Sequence, residues 1–183
     1  VVALLTDREK GVIRDAAEVQ GVGHRVLNCG EVYSDTVRVD AKVKQTIRDF
    51  FPLGPLHNPP NLMGIDVAEE FFPHAPQVAV FDTAFHQTMP PKAFLYAVPY
   101  EWYVKYRLRK YGFHGTSHKF IAQETAEFLG KPLAQTNLIS IHLGNGCSMA
   151  AVRNGKCVDT TMGVTPLEGL VMGTRSGDID PAA

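Results

Sequence analysis

The sequence predicts an α/β protein with two subdomains. In the first part, short apolar runs alternate with segments that have the spacing of amphipathic helices, and a meander of short strands joined by glycine turns follows. Alternation of strands and helices is typical of a sheet covered by helices, and tight glycine turns are typical of antiparallel pairing. The 183 residues suffice for one ordinary domain or for parts of two.

The first subdomain, residues 1–86, contains two predicted strands and two predicted helices. The strands are apolar runs, one ending in a glycine turn and the other ending at Asp82. Asp40 is the expected N-cap of the first helix, and a proline pair marks the first turn of the second. In chain order these elements cover residues 21–31, 40–50, 56–73 and 77–86.

The second subdomain, residues 87–183, begins with a proline-rich linker at 89–102. Helices are expected at 101–111 and 117–129, and the second should end at Gly130 and Pro132. Three strands follow at 137–143, 147–152 and 157–161, and the Asn154-Gly155 pair predicts a tight hairpin between the last two.

Charge and composition exclude several functional classes. The net charge is −1, the pI is about 6.7 and 20% of residues are charged, so no general attraction to nucleic acid or to anionic membranes is expected. We find no apolar run of transmembrane length and no signal-peptide pattern. Three cysteines, without metal-ligand spacing, favour a reducing cytoplasmic setting. The chain starts without Met and ends without a helix stop, so we expect it to be part of a longer protein.

The stretch "RKYGFHGTSHKF", residues 109–120, carries two histidines around a glycine. Thr116 or Ser117 is expected to cap the following helix, which places His114 just outside the helix and His118 inside it. The pair does not share a helix face and lacks the glutamate of the HExxH pattern, which excludes that zinc site. From spacing alone, His114 is a loop histidine and His118 a packing residue.

Three further features could bind an anion. Gly144 and Gly146 flank Asn145, so backbone N–H groups could approach a phosphate, although an ordinary hairpin tip explains the pattern equally well. Arg175 lies among small residues in a loop, where its guanidinium could bind phosphate or carboxylate. Arg25 follows glycines on an apolar strand and Asp82 is its natural partner; the two form either a buried salt bridge or the wall of a ligand cleft.

Taken together, these motifs resemble the acetate and propionate kinase family. The resemblance rests on "GHRV" at 23–26, "PLHNPPNLMGI" at 55–65, "VFDTAFHQTMP" at 80–90, "YGFHGTSHK" at 111–119, "HLGNG" at 142–146 and "TPLEGLVMGTRSGDIDP" at 165–181. It implies the sugar kinase/Hsp70/actin-type (ribonuclease H-like) fold, incomplete here at both ends, with nucleotide and acyl substrate in the cleft between two α/β domains.

The resemblance also implies roles for individual residues. Catalytic roles fall on Asp82, His114 and Arg175. Substrate contacts fall on Arg25, Leu27, Leu56, His57, Phe113 and Pro166, of which Leu27, Leu56, Phe113 and Pro166 match a small apolar acyl pocket. The nucleotide phosphates would lie on His142, Leu143, Gly144, Asn145 and Gly146. ATP or ADP and Mg²⁺ are the implied cofactors, and the family's Mg²⁺ ligands would lie outside this chain.

The implied activity is reversible transfer of the ATP γ-phosphoryl group to acetate, giving acetyl phosphate and ADP, in a cytoplasmic homodimer. Propionate or butyrate kinase activity is an alternative. A catalytically inactive fragment that retains phosphate-binding elements is another, and we expect these 183 residues alone to be inactive. One departure concerns Asn28 and Cys29, which stand where the family usually has His-Gly; Asn28 cannot carry the charge of a protonated histidine, and Cys29 adds a side chain where the backbone could need a tight turn.

Overall fold

The computed structural model describes residues 2–182, which include two three-stranded sheets. The strands are β1 (Val22–Val26), β2 (Val37–Arg38), β3 (Gln77–Phe81), β4 (Leu138–Leu143), β5 (Cys147–Arg153) and β6 (Lys156–Thr160). The α-helices are α1 (Val2–Leu5), α2 (Ala41–Asp49), α3 (Asn58–Phe71), α4 (Pro91–Phe94), α5 (Tyr100–Tyr106) and α6 (Gly115–Phe128). Short 3₁₀ helices cover Ala16–Glu18, Phe51–Leu53, Ala84–Thr88 and Leu133–Gln135. Residues 1 and 183, which the predicted subdomains include, lie outside the described residues.

The first sheet has the order β1-β3-β2, with β1 parallel and β2 antiparallel to the central β3. Two helices connect β1 to β3, and both begin and end as their sequence predicts. The Asp40 side chain accepts a hydrogen bond from the backbone N–H of Val43 at 2.8 Å, which caps α2. The proline pair lies in the first turn of α3, which ends at Phe71, just before Pro73. The two helices are confirmed, and both predicted strands form but are shorter than their predicted ranges of 21–31 and 77–86. Residues 84–88 form a 3₁₀ helix instead of continuing β3, and the short strand β2 was not predicted.

The second sheet is the predicted antiparallel meander, β4-β5-β6. Asn154 and Gly155 have φ angles of 52° and 72°, the left-handed values that a two-residue hairpin turn requires. Helix α6 packs against β4. The three strands and their hairpins therefore form as the sequence predicts.

The helices between the two sheets differ from their predicted bounds. Helix α5 ends at Tyr106, because Arg107 adopts a left-handed conformation with φ 56°, and not at residue 111. The predicted linker contains α4. Helix α6 begins at Gly115, with His114 at the N-cap position and no side-chain cap hydrogen bond. The expectation that Thr116 or Ser117 caps α6 is wrong, because both lie within the helix and the Ser117 hydroxyl is instead bonded to His142.

Apolar side chains from both sheets meet in one buried cluster. Leu27, from the end of β1, packs with residues that precede α6 or follow β4 and β6: Tyr111, Phe113, Cys147, Met162 and Met172. The 3₁₀ helix at Ala84–Thr88 also packs on β6 and α6. Side chains on both sides of the predicted 86/87 boundary thus contact the second sheet, and the division at that point stays a prediction.

Within residues 2–182, no helix has both the length and the apolar character needed to cross a bilayer.

Candidate active site

A buried carboxylate holds an exposed guanidinium where the two parallel strands end. Arg25 is the penultimate residue of β1 and Asp82 directly follows β3, so their side chains emerge at one edge of the sheet. Both Asp82 oxygens accept hydrogen bonds from Arg25, one from Nε at 2.9 Å and one from Nη2 at 2.5 Å. The Asp82 side chain is 1% exposed and that of Arg25 is 67% exposed. The hydrogen bonds that Arg25 donates to Asp82 raise the pKa of Arg25, so this edge carries a fixed cation with an accessible outer face.

The first turn of α6 lies directly against this pair. The backbone N–H of Gly115 donates to the Asp82 carbonyl at 3.0 Å. A β-carbon at Gly115 would lie 2.2 Å from that carbonyl oxygen, so only glycine allows the approach. His114, one residue earlier, has φ 57°, a left-handed conformation that costs about 1 kcal/mol or more outside glycine. The docking of α6 on Asp82 thus fixes the backbone that carries the His114 ring.

Behind His114 lies a buried network of imidazoles and hydroxyls. Ser148 Oγ is 2.9 Å from His114 Nδ1 and 2.8 Å from His118 Nε2. His118 Nδ1 in turn lies 2.9 Å from Ser140 Oγ. His142, whose ring stacks on that of His114 with centroids 4.1 Å apart, has its Nδ1 2.9 Å from Ser117 Oγ. Helix α6 and strands β4 and β5 therefore position His114 and His142 together.

Three imidazoles in and beside this network, those of His114, His118 and His86, are neutral near pH 7. Burial, reinforced by the neighbouring His142, lowers the pKa of His114 to about 4. Burial also lowers the pKa of His118 to about 3, with His86 and His114 adding to the effect. His86, fully buried next to His118, has its pKa lowered to about 4 by burial. Each ring consequently carries a single N–H to donate.

Arg175 lies against the hairpin that joins β4 and β5. Its Nη1 donates to the Pro166 carbonyl at 2.7 Å. A β-carbon at Gly146 would lie 2.4 Å from Nη2, so the absent side chain at position 146 makes room for the guanidinium. In the same turn, the Gly144 N–H donates to the Gly146 carbonyl at 3.0 Å. This N–H is therefore not free to bind an anion, which the sequence had offered as one possibility. Asn145 is exposed at the tip of the turn.

One open cavity of about 520 Å³ joins these elements. It is lined by Arg25 and Asp82 from the first sheet, His142 from the second, and His114, Thr116, Ser117 and Phe120 at the start of α6. The structure thus brings together four of the predicted site residues, and Arg175 is close enough to oppose protonation of His114.

The remaining predicted residues do not line this cavity. Leu56 is 82% exposed and His57 is also exposed, both in the turn before α3. Leu27 and Phe113 are buried in the apolar cluster between the sheets, 6% and 1% exposed. Pro166 is half-buried and contacts the site only through the Arg175 hydrogen bond, and Leu143 is 76% exposed. A common acyl pocket for Leu27, Leu56, Phe113 and Pro166 stays a prediction.

Asn28 and Cys29 have structural partners. The Asn28 backbone exchanges hydrogen bonds with the side chain of Asn58, and its Oδ1 accepts from the Gly30 N–H at 2.7 Å. The tight turn falls on Gly30, with φ 59°, so Cys29 is not strained there and packs in the core of the first sheet. Cys29, Cys147 and Cys157 are all free and buried.

Sequence reasoning missed Ser148, Ser140 and Ser117, which orient the histidines. A signal was present for one of them, because Ser140 and His142 alternate with isoleucines on β4 and so must share a sheet face. The partners on β5 and α6 depend on packing between elements, which spacing does not reveal. Among the described residues, no group of three or more His, Cys, Asp or Glu is arranged to hold a metal ion.

The two sheets meet at a cleft that is lined by a fixed arginine, two stacked imidazoles and the N-terminus of a 14-residue helix. These features define an α/β protein with a polar site between its halves. Comparison with known proteins gives the family: all of residues 1–183 match the acetokinase family, and the chain belongs to it.

The relatives agree with this assignment. An acetate kinase of Nitratidesulfovibrio vulgaris is 67% identical over 182 residues, covering 100% of this chain and 45% of that protein. The crystal structure of Porphyromonas gingivalis acetate kinase superposes with a TM-score of 0.94 at 46% identity, over 99% of this chain and 45% of that one. A Francisella tularensis propionate kinase gives a TM-score of 0.85 at 52% identity, over 89% and 42%. The predicted sugar kinase/Hsp70/actin-type fold is confirmed, and the chain spans somewhat less than half the length of these relatives.

Proposed function

We propose that the protein containing this chain is an acetate kinase, which transfers the γ-phosphoryl group of ATP reversibly to acetate and yields acetyl phosphate and ADP. The observation that carries the proposal is the convergence of Arg25, His114 and His142 on one cavity between the two sheets. Relatives named acetate kinase align with the whole chain at up to 67% identity, and the family as a whole supports a phosphotransferase.

Arg25 binds the carboxylate of acetate in this proposal. Its guanidinium is held from behind by both oxygens of Asp82, while its outer face is exposed to the cavity. A planar guanidinium matches a carboxylate in geometry and charge. Acetate is already ionised at neutral pH, so attack on phosphorus needs no general base, and Asp82 serves to orient Arg25.

The phosphoryl group in flight carries negative charge on three equatorial oxygens, and catalysis consists mainly of positioning and electrostatic stabilisation. His114 would donate one hydrogen bond to these oxygens as a neutral imidazole. Arg175, which lies in the space above Gly146, would supply positive charge from the other side. The N-terminus of α6, which lines the cavity through Thr116 and Ser117, favours the same charge.

ATP would place its phosphates near His142 and the Leu143–Gly146 hairpin, with Asn145 exposed at the tip. Mg²⁺ belongs to the proposal as the metal of the nucleotide. The only carboxylate among the described residues lining the cavity is Asp82, and both of its oxygens are bonded to Arg25. These lining residues therefore do not form a magnesium site, and the roles given above involve protein side chains alone.

Several further elements complete the proposal. Residues 1–86 would form the acyl side of the cleft and residues 87–183 the nucleotide side, in a cytoplasmic homodimer. The methyl group of acetate would contact Leu27, Leu56, Phe113 and Pro166, with His57 nearby. Propionate kinase activity is the second candidate, favoured by the similarity to the Francisella propionate kinase over 89% of this chain.

The test is turnover by the purified full-length protein with ATP, Mg²⁺ and acetate, propionate or butyrate, with the acyl phosphate trapped as its hydroxamate. We expect acetyl phosphate as the main product. An Arg25→Ala variant should raise the KM for acetate at least about tenfold, since a charge-assisted pair is lost. Arg38→Ala, at an exposed position on β2, is the matched control. Absence of acetate-dependent product would refute the proposal, and a clear preference for propionate would favour the second candidate.

A further inference from the structure

Ser148 lies between two imidazoles that it bonds at the same time. The residue is 0% exposed on β5, and its Oγ lies 2.9 Å from His114 Nδ1 and 2.8 Å from His118 Nε2. A hydroxyl has one proton, so Ser148 donates to one ring and accepts from the other. Since both rings are neutral at pH 7, the tautomer of buried His118 determines that of His114.

Only two arrangements of protons satisfy this geometry. In the first, His118 Nε2–H donates to Ser148, Ser148 O–H donates to His114 Nδ1, and His114 carries its proton on Nε2. In the second, every donor is reversed: Ser148 O–H donates to His118 Nε2, His114 donates from Nδ1, and its Nε2 bears only a lone pair. The first gives the cavity a hydrogen-bond donor, and the second gives it an acceptor.

Ser140 decides between the two arrangements. Its side chain is 1% exposed, and within residues 2–182 its Oγ is bonded to His118 Nδ1 at 2.9 Å and to no other group. In the first arrangement Ser140 O–H donates to His118 Nδ1, and every proton between Ser140 and His114 has an acceptor. In the second, His118 Nδ1–H donates to Ser140, whose own proton is then buried without an acceptor, which is unfavourable.

We propose that Ser148 is a positioning residue that holds His114 as the Nε2-protonated tautomer, so that a neutral N–H faces the transferred phosphoryl group. The order of donation runs from Ser140 through His118 and Ser148 to His114. The inference rests on the proposed phosphoryl transfer for its purpose, because an oxygen that gains negative charge needs a donor and would be repelled by a lone pair. The direction of hydrogen-bond donation from Ser140 to His114 does not depend on the reaction.

His86 provides an internal standard for this tautomer. Its Nε2 lies 2.9 Å from the Phe113 carbonyl oxygen, which can only accept, so His86 carries its proton on Nε2. Its Nδ1 then accepts from the Cys157 thiol at 3.1 Å. If the inference is correct, His114 and His118 are protonated on Nε2 alone, as His86 is.

The first test uses the unaltered full-length protein with ¹⁵N-labelled histidine imidazoles. Long-range ¹H–¹⁵N correlation spectra at pH 7 distinguish a protonated from an unprotonated ring nitrogen. We expect His114, His118 and His86 to be protonated on Nε2 alone. A His114 protonated on Nδ1 would overturn the inference even if acetate kinase activity is normal, and the spectrum remains informative if that activity is absent.

The second test adds kinetics. Ser148→Ala removes the donor to Nδ1, so His114 should become a mixture of tautomers and kcat should fall about 10- to 100-fold, the range expected when one transition-state donor is weakened. The KM for acetate should change by less than about threefold, since Arg25 is untouched. Ser34→Ala, at an exposed serine, is the control and should match the unaltered protein.

Ser148→Thr keeps the hydroxyl and should restore both the spectrum and most of kcat. An unchanged kcat in Ser148→Ala would overturn the inference. So would a Ser148→Thr protein that shows the normal tautomer but turns over as slowly as the alanine variant. If Ser148→Ala does not fold, the spectrum of the unaltered protein and the threonine variant still decide.

Discussion

In the proposed reaction, the two sides of the cleft interact with negative charge in opposite ways. On the first sheet, Arg25 is a permanent cation, 67% exposed and held by the buried Asp82. On the second, His114 and His118 are uncharged and are oriented by serine hydroxyls that are almost fully buried.

The difference follows from burial. A charge can remain at the first sheet's edge because one face of the guanidinium stays in water, whereas desolvation removes the proton from imidazoles packed between α6 and β4. In the proposed reaction, the exposed cation binds acetate, which arrives already charged. The neutral donors suit oxygens whose charge grows only during the reaction. Substitutions on the two sides should therefore affect different kinetic constants.

The largest effect is expected at Arg175, the cation that lies beside the hairpin of the second sheet. Arg175→Ala in the full-length protein should lower kcat by about 10³-fold, the scale on which an arginine stabilises a phosphoryl transition state. The KM for ATP should change little, since this contact would be strongest in the transition state. Arg153→Ala, an exposed arginine at the end of β5, is the control. An unchanged kcat would remove Arg175 from the mechanism.

Asp82→Asn should have the next largest effect, about 10²-fold in kcat/KM for acetate, because a buried charged hydrogen bond to Arg25 is lost. If Asp82 orients Arg25, most of the loss appears in the KM for acetate. If Asp82 acts as an acid or base, kcat falls at constant KM. Steady-state kinetics separates the two, and Asp159→Asn, at a mostly exposed partner of Lys110, controls for a general loss of charge.

Gly146→Ala tests whether the space beside the hairpin is needed for Arg175. The added β-carbon would lie 2.4 Å from Nη2, and a flexible side chain can move away at little cost in stability. We expect kcat to fall about 10- to 100-fold, a part of the Arg175→Ala effect, with a melting temperature close to normal. Gly173→Ala is the matched control, since its β-carbon would meet nothing closer than the Asn145 carbonyl at 3.9 Å. A normal kcat in Gly146→Ala would mean that the guanidinium can act from another position.

The sequence predicts the elements of this fold well and their contacts poorly. Caps and turns are local, so Asp40, the proline pair of α3 and Asn154-Gly155 each mark their element correctly. The start of α6 was misassigned because the close approach of Gly115 to the Asp82 carbonyl, not a cap residue, fixes it. That approach joins residues far apart in the chain.

The same distinction applies to the site. Arg25 pairs with Asp82 as their positions at two strand ends suggest, because parallel strands end at one edge of a sheet. The pattern of β4 places Ser140 on the same sheet face as His142, but nothing local marks Ser140, or Ser148 on β5, as a partner of the histidines of α6. The exposed positions of Leu56 and His57 depend on the path of a turn, which residue type alone does not determine.

The smallest effect concerns the preference between acetate and propionate. It involves Leu27, which lies in the apolar cluster where the two sides contact each other. Leu27 is 6% exposed and packs against Tyr111 and Phe113, so Leu27→Ala should lower the free energy of unfolding by about 2–5 kcal/mol. If Leu27 also contacts the acyl group, the preference for acetate over propionate should narrow by about tenfold or less. Kinetics with both acids, together with a melting curve, gives both values. An unchanged ratio would assign Leu27 to packing alone.

The contrast between the two sides is tested most directly by a pH titration of the His114 imidazole, followed by NMR in the full-length protein. Burial stabilises the neutral ring, so the pKa should lie near 4, well below the value of about 6.5 for an unperturbed histidine. His114 should then stay neutral from pH 8 down to about pH 5 and gain its proton only as the pH falls through 4. A pKa near 6.5 would mean a largely charged imidazole at mildly acidic pH, and would contradict the account in which the second side stabilises the phosphoryl group with neutral donors.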